Sequence, residues 1–279
     1  MTSRLAVCVD DLGADTGVLD AVLALADAGR ISAASCMVGG PAWRDAATAL
    51  RAGGARGIDL GLHLDFTGFP LPPEQAAPLR SVVLRAYLKQ LDLQRVRAQL
   101  RAQFDAFEDT LGRPVDHVDG HQHVHQLPGI REALLEELAR RPGPRPWLRS
   151  TRHAPGAAFK PRLLQALGQA PLAQLASAAG YAQNRRLLGV YDFGGDALRY
   201  RARLRQWLAV AQDGDLLMCH PSAGPGEASD AIRTARQHEY AVLAGADFDA
   251  LLAEAGCSIV PLRTVPAGQP VPEWQLSNR

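Results

Sequence analysis

The chain has 279 residues, a length common for one α/β domain, and its 47% apolar content is enough for a sizeable core. Its 30 basic and 29 acidic residues leave a net charge of +1, which argues against nucleic acid as a partner. No apolar run approaches the ~20 residues that span a bilayer, and no charged-then-apolar leader precedes the first strand. The four cysteines are far apart and form no C-x-x-C pair. We therefore expect a cytoplasmic protein with no stable membrane insertion.

The first predicted strand ends in two adjacent carboxylates. Residues 5–9 form a continuous apolar run, typical of a strand buried on both faces, and Asp10 and Asp11 follow directly. A helix cap with a first-turn acid would explain such a pair, but Asp15 is better placed to cap the helix predicted over 17–28. The two aspartates are therefore candidates for chemistry.

A third strand carries a histidine near its carboxyl end. Strands are predicted over 31–38 and 58–64, with a helix over 42–52 between them. His63 is more simply explained as a hydrogen-bonded core residue, but it takes the same strand-end position as the aspartates. The Pro-rich loop over 66–79 is too long for a simple connector and suits a lid or a substrate wall.

A histidine-rich tract is the densest chemical feature of the chain. After a stretch predicted as mostly helical, 84–111, residues 117–125 hold four of the eight histidines. The strand before them is predicted to end at Gly120, and a helix is predicted over 130–140. The histidines thus lie at a strand end and on the loop after it, where α/β folds bind ligands. Such a tract indicates a metal or proton-transfer site, or alternatively a surface metal scavenger.

The second half of the chain adds two polar strand ends. A brief strand over 147–150 carries Arg149, which could bind a substrate or form a surface ion pair. Residues 154–190 are Pro-, Ala- and Leu-rich and are predicted as mostly helical. Residues 215–220 predict an apolar strand that ends at His220. The last predicted elements are helices over 199–211, 233–243 and 248–255 and a closing strand over 258–261.

About seven or eight short buried strands, most of them followed by a helix, predict an α/β barrel or a related open sheet. We expect a single domain over 1–279, with a loose tail over about 268–279. A barrel would bring its strand ends to one face. That face would hold Asp10, Asp11, His63, His121 and His220.

This set of side chains suits metal-assisted hydrolysis of an amide or an ester. One carboxylate and two imidazoles, with positions left open for water, form a typical hydrolytic metal site. A metal ion there acidifies water and polarises a carbonyl. A second carboxylate can then take the proton of the water, and a histidine can protonate the leaving group.

Five segments together resemble the YdjC-like carbohydrate deacetylases, also called the ChbG/HpnK family. They are Val-Asp-Asp-Leu-Gly at 9–13, Ser-Cys-Met-Val-Gly-Gly-Pro at 35–41, Gly-Leu-His-Leu at 61–64, the histidine tract at 117–125, and Met-Cys-His-Pro at 218–221. The resemblance implies a distorted (β/α) barrel of the polysaccharide-deacetylase-like type. It also implies removal of an acetyl group from an N-acetylated sugar, an N-acetylglucosamine-type oligosaccharide or glycolipid. Family members are often homodimers, so the resemblance admits a homodimer.

The resemblance makes Asp11, His63 and His121 the ligands of one divalent metal ion. A hard, oxygen-rich site would favour Mg²⁺, whereas two imidazoles favour Zn²⁺ or a similar transition metal. Both Mg²⁺ and Zn²⁺ therefore remain candidates for the bound ion.

The remaining roles also follow from the resemblance. Asp10 becomes the general base for the attacking water, and His220 and His125 become candidates for protonating the amine or holding the oxyanion. The expected substrate contacts are Arg149, His123 and Asp65. Residues that differ from the usual family pattern would alter the pocket wall rather than the metal site; they are Leu12, Asp65, Gly120 and Gln122.

Two other functions use the same residues. One is a metal-dependent hydrolase of another amide or of an ester on the same scaffold. The other is a non-catalytic sugar-binding or metal-binding protein, which ranks last because it requires that the general base be missing, whereas Asp10 is present.

Overall fold

A computed structural model describes residues 2–264, and in them a parallel sheet is surrounded by helices. The strands are β1 (Ser3–Leu12), β2 (Ala33–Cys36), β3 (Asp59–Leu64), β4 (His117–Gly120), β5 (Trp147–Leu148), β6 (Leu187–Leu188), β7 (Leu216–Cys219) and β8 (Cys257–Ile259). The α-helices are α1 (Thr16–Asp27), α2 (Trp43–Arg51), α3 (Leu79–Tyr87), α4 (Leu93–Leu111), α5 (Ile130–Arg140), α6 (Phe159–Ala166), α7 (Gln169–Ala178), α8 (Ala197–Ala209), α9 (Arg233–Leu243) and α10 (Asp247–Glu254). Short 3-10 helices occur at Pro73–Gln75, His121–Gln126 and Leu262–Thr264.

The sheet curls into an incompletely closed barrel. Its strand order is β5-β4-β3-β2-β1-β7-β6, and β8 pairs with the first residues of β1. The two outer strands approach each other through loops, because Leu148 bridges to Gln183 and the Leu187 N–H donates to the Arg152 carbonyl at 2.7 Å. The predicted distorted (β/α) barrel is confirmed.

Alternation along β1 separates an outer core from an inner one. Val7 and Val9 belong to the large core that also contains Phe104 and Phe107 of α4. Ala6 and Cys8 point the other way, into a smaller cluster that contains Leu216 and Met218. The inner row of β1 therefore leads to Asp10, at the carboxyl end of the sheet.

Two predicted stretches differ from the structure. The stretch over 84–111 is two helices, because Lys89 has a left-handed backbone (φ 56°) and Asp92 caps α4 by accepting from the Gln94 N–H at 3.0 Å. Residues 154–190 contain the strand β6 besides α6 and α7, and a strand of two residues is too short to show a period. The predicted tail over 268–279 lies outside the described residues, and the single domain stays a prediction.

None of the helices described in residues 2–264 is both long enough and apolar enough to cross a membrane.

Gly61 makes room for a buried imidazole, which predicts a specific loss of stability on substitution. A Cβ atom at Gly61 would lie 2.3 Å from the ring of its register partner, His117. We expect Gly61→Ala to lower the free energy of unfolding by ~1–3 kcal/mol through overpacking, measured by urea denaturation. Gly194→Ala is the control, because its Cβ would meet nothing closer than 3.7 Å. Equal stabilities of the two variants would contradict this account.

Candidate metal centre

A β-bulge brings both adjacent aspartates to one side of the sheet. Successive side chains of a regular strand point to opposite faces. Between Val9 and Leu12, however, the register of β1 against β2 shifts, and Asp11 has a left-handed backbone (φ 66°). The strand predicted from the apolar run over 5–9 therefore continues to Leu12, and the irregularity lets both carboxylates reach the same group of side chains. A non-glycine residue in this conformation is strained, which is common at functional sites.

Asp11, His63 and His121 bring their donor atoms together, within 4.8 Å of one another. The Oδ1 atom of Asp11 lies 2.9 Å from Nδ1 of His121 and 3.3 Å from Nε2 of His63. Asp11 and His63 are buried, whereas the His121 side chain is 25% exposed. One carboxylate oxygen and two imidazole nitrogens at this spacing fit a divalent metal ion, with one side of the site open to solvent.

His63 is oriented by a second carboxylate. Its Nδ1 donates to Oδ1 of Asp119 at 2.6 Å, which leaves Nε2 facing Asp11. Burial lowers the pKa of His63, but the facing carboxylates of Asp119 and Asp11 outweigh it and raise the pKa to about 10. Burial likewise opposes the charged form of His121, yet Asp11 raises the pKa of that imidazole too. The imidazole of His63 is therefore protonated at pH 7 when no metal ion is bound.

Asp10 is held by a buried guanidinium. Arg149 donates from Nη1 to Oδ2 of Asp10 at 2.6 Å and from Nη2 to Oδ1 at 2.7 Å. The same Nη2 lies 2.5 Å from Oδ2 of Asp119. The Arg149 side chain is 1% exposed, so it lies beneath the site and not on its surface.

A second cluster, Cys8, His117 and Asp119, is also close enough to hold a cation. Arg149 already supplies the positive charge there, since its Nη2 is 3.3 Å from Sγ of Cys8 as well as beside Asp119. Burial raises the pKa of the Cys8 thiol well above its usual range, which disfavours the thiolate that a metal requires. The Asp11 triad therefore fits a divalent cation better than this second cluster does.

The two candidate acid histidines occupy different positions. Nε2 of His220 is 3.8 Å from Oδ2 of Asp10, and 12% of its side chain is exposed. His125 is fully buried and donates from Nε2 to the carbonyl of Arg149 at 2.9 Å. Burial lowers the pKa of each imidazole to about 4, so both are neutral at pH 7.

Two of the three predicted substrate contacts, Arg149 and Asp65, are buried. The Asp65 carboxylate accepts from the backbone N–H groups of Thr67 at 2.7 Å and Phe69 at 2.5 Å. It thereby shapes the start of the Pro-rich loop. His123 is half-buried and has a left-handed backbone (φ 58°). Burial, reinforced by the charge of Arg149, holds the pKa of His123 well below its usual range.

Sequence reasoning missed several residues that contact the site. Arg236 donates from Nη2 to Oδ2 of Asp11 at 2.6 Å, and Glu239 accepts from the backbone N–H of His220 at 2.6 Å. Both lie on α9, where charged residues are usually solvated, so no local pattern marks them. Ser35 donates to Asp119 at 2.7 Å, and Phe193 (φ 61°) packs its ring 5.2 Å from that of His220.

The geometry defines an α/β-barrel protein with a carboxylate–dihistidine candidate metal centre. The sequence pattern of the YdjC-like protein family matches residues 4–254. A carbohydrate deacetylase of Mus musculus is 30% identical, over 96% of this chain and 98% of its own. A chitooligosaccharide deacetylase of Enterobacter sp. (strain 638) is 28% identical, over 80% of this chain and 82% of its own. This chain therefore belongs to the YdjC-like family, and the predicted family is confirmed.

Solved structures show the same fold. The crystal structure of an Enterococcus faecalis V583 protein named for cellobiose-phosphate cleavage matches with a TM-score of 0.69 at 17% identity. The match covers 95% of this chain and 99% of the other. That structure therefore shares the (β/α) barrel fold of this chain.

The raised pKa of His63 predicts how stability depends on pH after chelation. The folded-state pKa of about 10 exceeds the ordinary 6.5, so the stabilisation is complete below pH 6.5 and is lost as the pH rises through 10. We expect the unfolding free energy of chelator-stripped protein to fall by up to about 1.4 kcal/mol per pH unit between pH 7 and 10. Urea denaturation across this range measures the slope. In His63→Gln the slope should be shallower, and identical slopes would refute the assignment.

Proposed function

We propose that this protein is a metal-dependent hydrolase that removes the acetyl group from an N-acetylated sugar. The observation that carries the proposal is the meeting of the Asp11, His63 and His121 donor atoms beside a separately held carboxylate, Asp10. The names of the relatives, carbohydrate deacetylase and chitooligosaccharide deacetylase, support the substrate class. Two imidazoles among three ligands favour Zn²⁺ or a similar transition metal over Mg²⁺.

In this proposal the triad holds the ion and Asp10 is the general base. When bound, the ion would polarise the acetyl carbonyl and acidify the attacking water. Asp10 accepts the proton of that water. Arg149 binds both oxygens of Asp10, so it fixes the direction in which the carboxylate faces.

We assign the general acid to His220 rather than to His125. Because His220 is neutral at pH 7, it must gain a proton before it can donate one to the leaving amine. Asp10 lies 3.8 Å from it and can supply the proton taken from the water. His125 is engaged with the carbonyl of Arg149, which suits a residue that positions the Arg149 segment.

The burial of Arg149 and Asp65 favours positioning roles for both. Arg149 orients Asp10, and Asp65 shapes the loop over 66–79 that would form a wall of the sugar site. His123 stays the candidate for substrate contact. The cytoplasmic location and the homodimer remain predictions.

The first test separates the metal ligands from the general base. Asp11→Ala and His121→Ala should each lose bound metal and acetate release, because each removes one donor of the triad. Asp10→Asn should keep its metal and lose acetate release by a factor of about 10² or more. Elemental analysis of protein purified without chelator and an acetate assay with N-acetylglucosamine oligosaccharides measure both properties.

The control is His153→Ala, because His153 bonds the neighbouring carbonyl of Ala154 and belongs to none of the candidate metal clusters. It should keep both metal and turnover. Full turnover by both triad variants would refute the ligand assignment.

A substrate panel distinguishes the proposed function from its alternatives. We expect acetate release from N-acetylated sugars to exceed release from simple acyl esters at equal concentration. Faster ester cleavage would favour a different hydrolase on the same scaffold. Sugar binding without acetate release from any compound would instead indicate a non-catalytic protein.

A further inference from the structure

Asp11 presents its two oxygens to different partners. Oδ1 faces both histidines, at 2.9 Å from His121 and 3.3 Å from His63. Oδ2 faces away from that pair of contacts and accepts from Nη2 of Arg236 at 2.6 Å. We infer that Arg236 is a positioning residue that leaves Asp11 a single oxygen for the metal ion, an inference that rests on the proposed metal-dependent function.

Arg236 is itself held from several directions. Its Nε donates to Oδ2 of Asp230 at 2.7 Å, and its backbone carbonyl accepts from the Ser222 N–H at 3.2 Å. Asp230 is pinned in turn, since its Oδ1 accepts from the Ile232 N–H at 3.0 Å. Only 6% of the Arg236 side chain is exposed. A guanidinium held through Nε by Asp230 and through Nη2 by Asp11 gives Asp11 one orientation and not several.

One oxygen per carboxylate matters for a hydrolytic site. A catalytic ion needs open positions for water and for the substrate carbonyl. If Oδ2 were free, Asp11 could chelate the ion through both oxygens and occupy one of those positions. The strained backbone of Asp11 would not prevent this by itself, because a turn about the Cβ–Cγ bond exchanges the two oxygens. The bond to Arg236 opposes that turn.

Helix α9 extends the same support to the candidate acid. Glu239 lies three residues after Arg236 and is fully buried. Its Oε2 accepts from the backbone N–H of His220 at 2.6 Å, and its Oε1 accepts from the Tyr191 hydroxyl at 2.7 Å. Residues three apart share a helix face. One face of α9 therefore secures both the metal carboxylate and the His220 segment, which sets the spacing between them.

The experiment measures the affinity of chelator-stripped protein for Zn²⁺ by calorimetry, beside acetate release. Arg236→Met should lower the Kd for Zn²⁺ about 10-fold, because the freed Oδ2 of Asp11 adds a second bond to the ion and the site loses a positive charge. The same variant should lower acetate release about 10–100-fold, because that second bond takes a position that water or substrate needs. Asp230→Asn should lower the Kd less, because it loosens Arg236 without removing it. Arg233→Met is the matched control on α9: it removes the same charge from an exposed position and should leave the Kd within about twofold.

An unchanged Kd in folded Arg236→Met would overturn the inference. Should that variant not fold, judged by its urea unfolding midpoint, Asp230→Asn decides, and an unchanged Kd there has the same meaning. The two proposals fail differently. Wild-type protein that releases no acetate, with Zn²⁺ binding still tightened by Arg236→Met, would refute the deacetylase and leave the positioning role standing.

Discussion

The site depends on two buried arginines, because burying a charged group without an opposite charge beside it is costly. Asp10, Asp11 and Asp119 are all buried, and each contacts a guanidinium: Arg149 contacts Asp10 and Asp119, and Arg236 contacts Asp11. Removing one partner of a buried ion pair typically costs ~3–5 kcal/mol. Arg236 also contacts Asp230, so the carboxylates outnumber the two arginines, and histidine protons or a bound cation can balance the remaining negative charge.

Small residues on β1 and β3 leave room inside the barrel for these polar groups. The inner row of β1 is Ala6 and Cys8, and Gly61 gives space to the ring of His117. Most of the larger apolar side chains face the helices, where they form the main core, while Leu216 and Met218 pack inside. The interior below the site also holds the polar groups that orient its side chains. A rigid polar layer of this kind keeps donor atoms in place before a metal or a substrate arrives.

Hydrogen bonding and exposure distinguish residues that could contact a ligand from residues that position other groups. Asp65 directs its carboxylate to backbone N–H groups of the following loop, and His125 bonds the carbonyl of Arg149. His121 and His220 keep partial exposure at the carboxyl ends of their strands. Few side chains of the site are therefore open to solvent, while more of them determine where those few point.

Local sequence determined the elements and the kinds of residue at their ends. Helical spacing predicted α5 and α9 with the bounds that the structure has. Apolar runs predicted the strands that carry Asp10 and His63 and the strand that directly precedes His220. These features depend on neighbours a few residues away, so a single sequence contains them. The short strand β6 and the break before α4 were missed, because two residues show no period and helical spacing continued across the break.

Only the tertiary structure decided which charged side chains pair with each other. Arg149 and Asp10 are 139 residues apart, and Arg236 and Asp11 are 225 apart. Which charges meet depends on the strand order, the closure of the barrel and the bulge at Asp11. None of these leaves a periodic trace in the sequence, since each follows from how distant elements pack. The sequence therefore identified the candidate metal ligands, whereas the folded barrel decided how they are oriented and which arginines pair with the carboxylates.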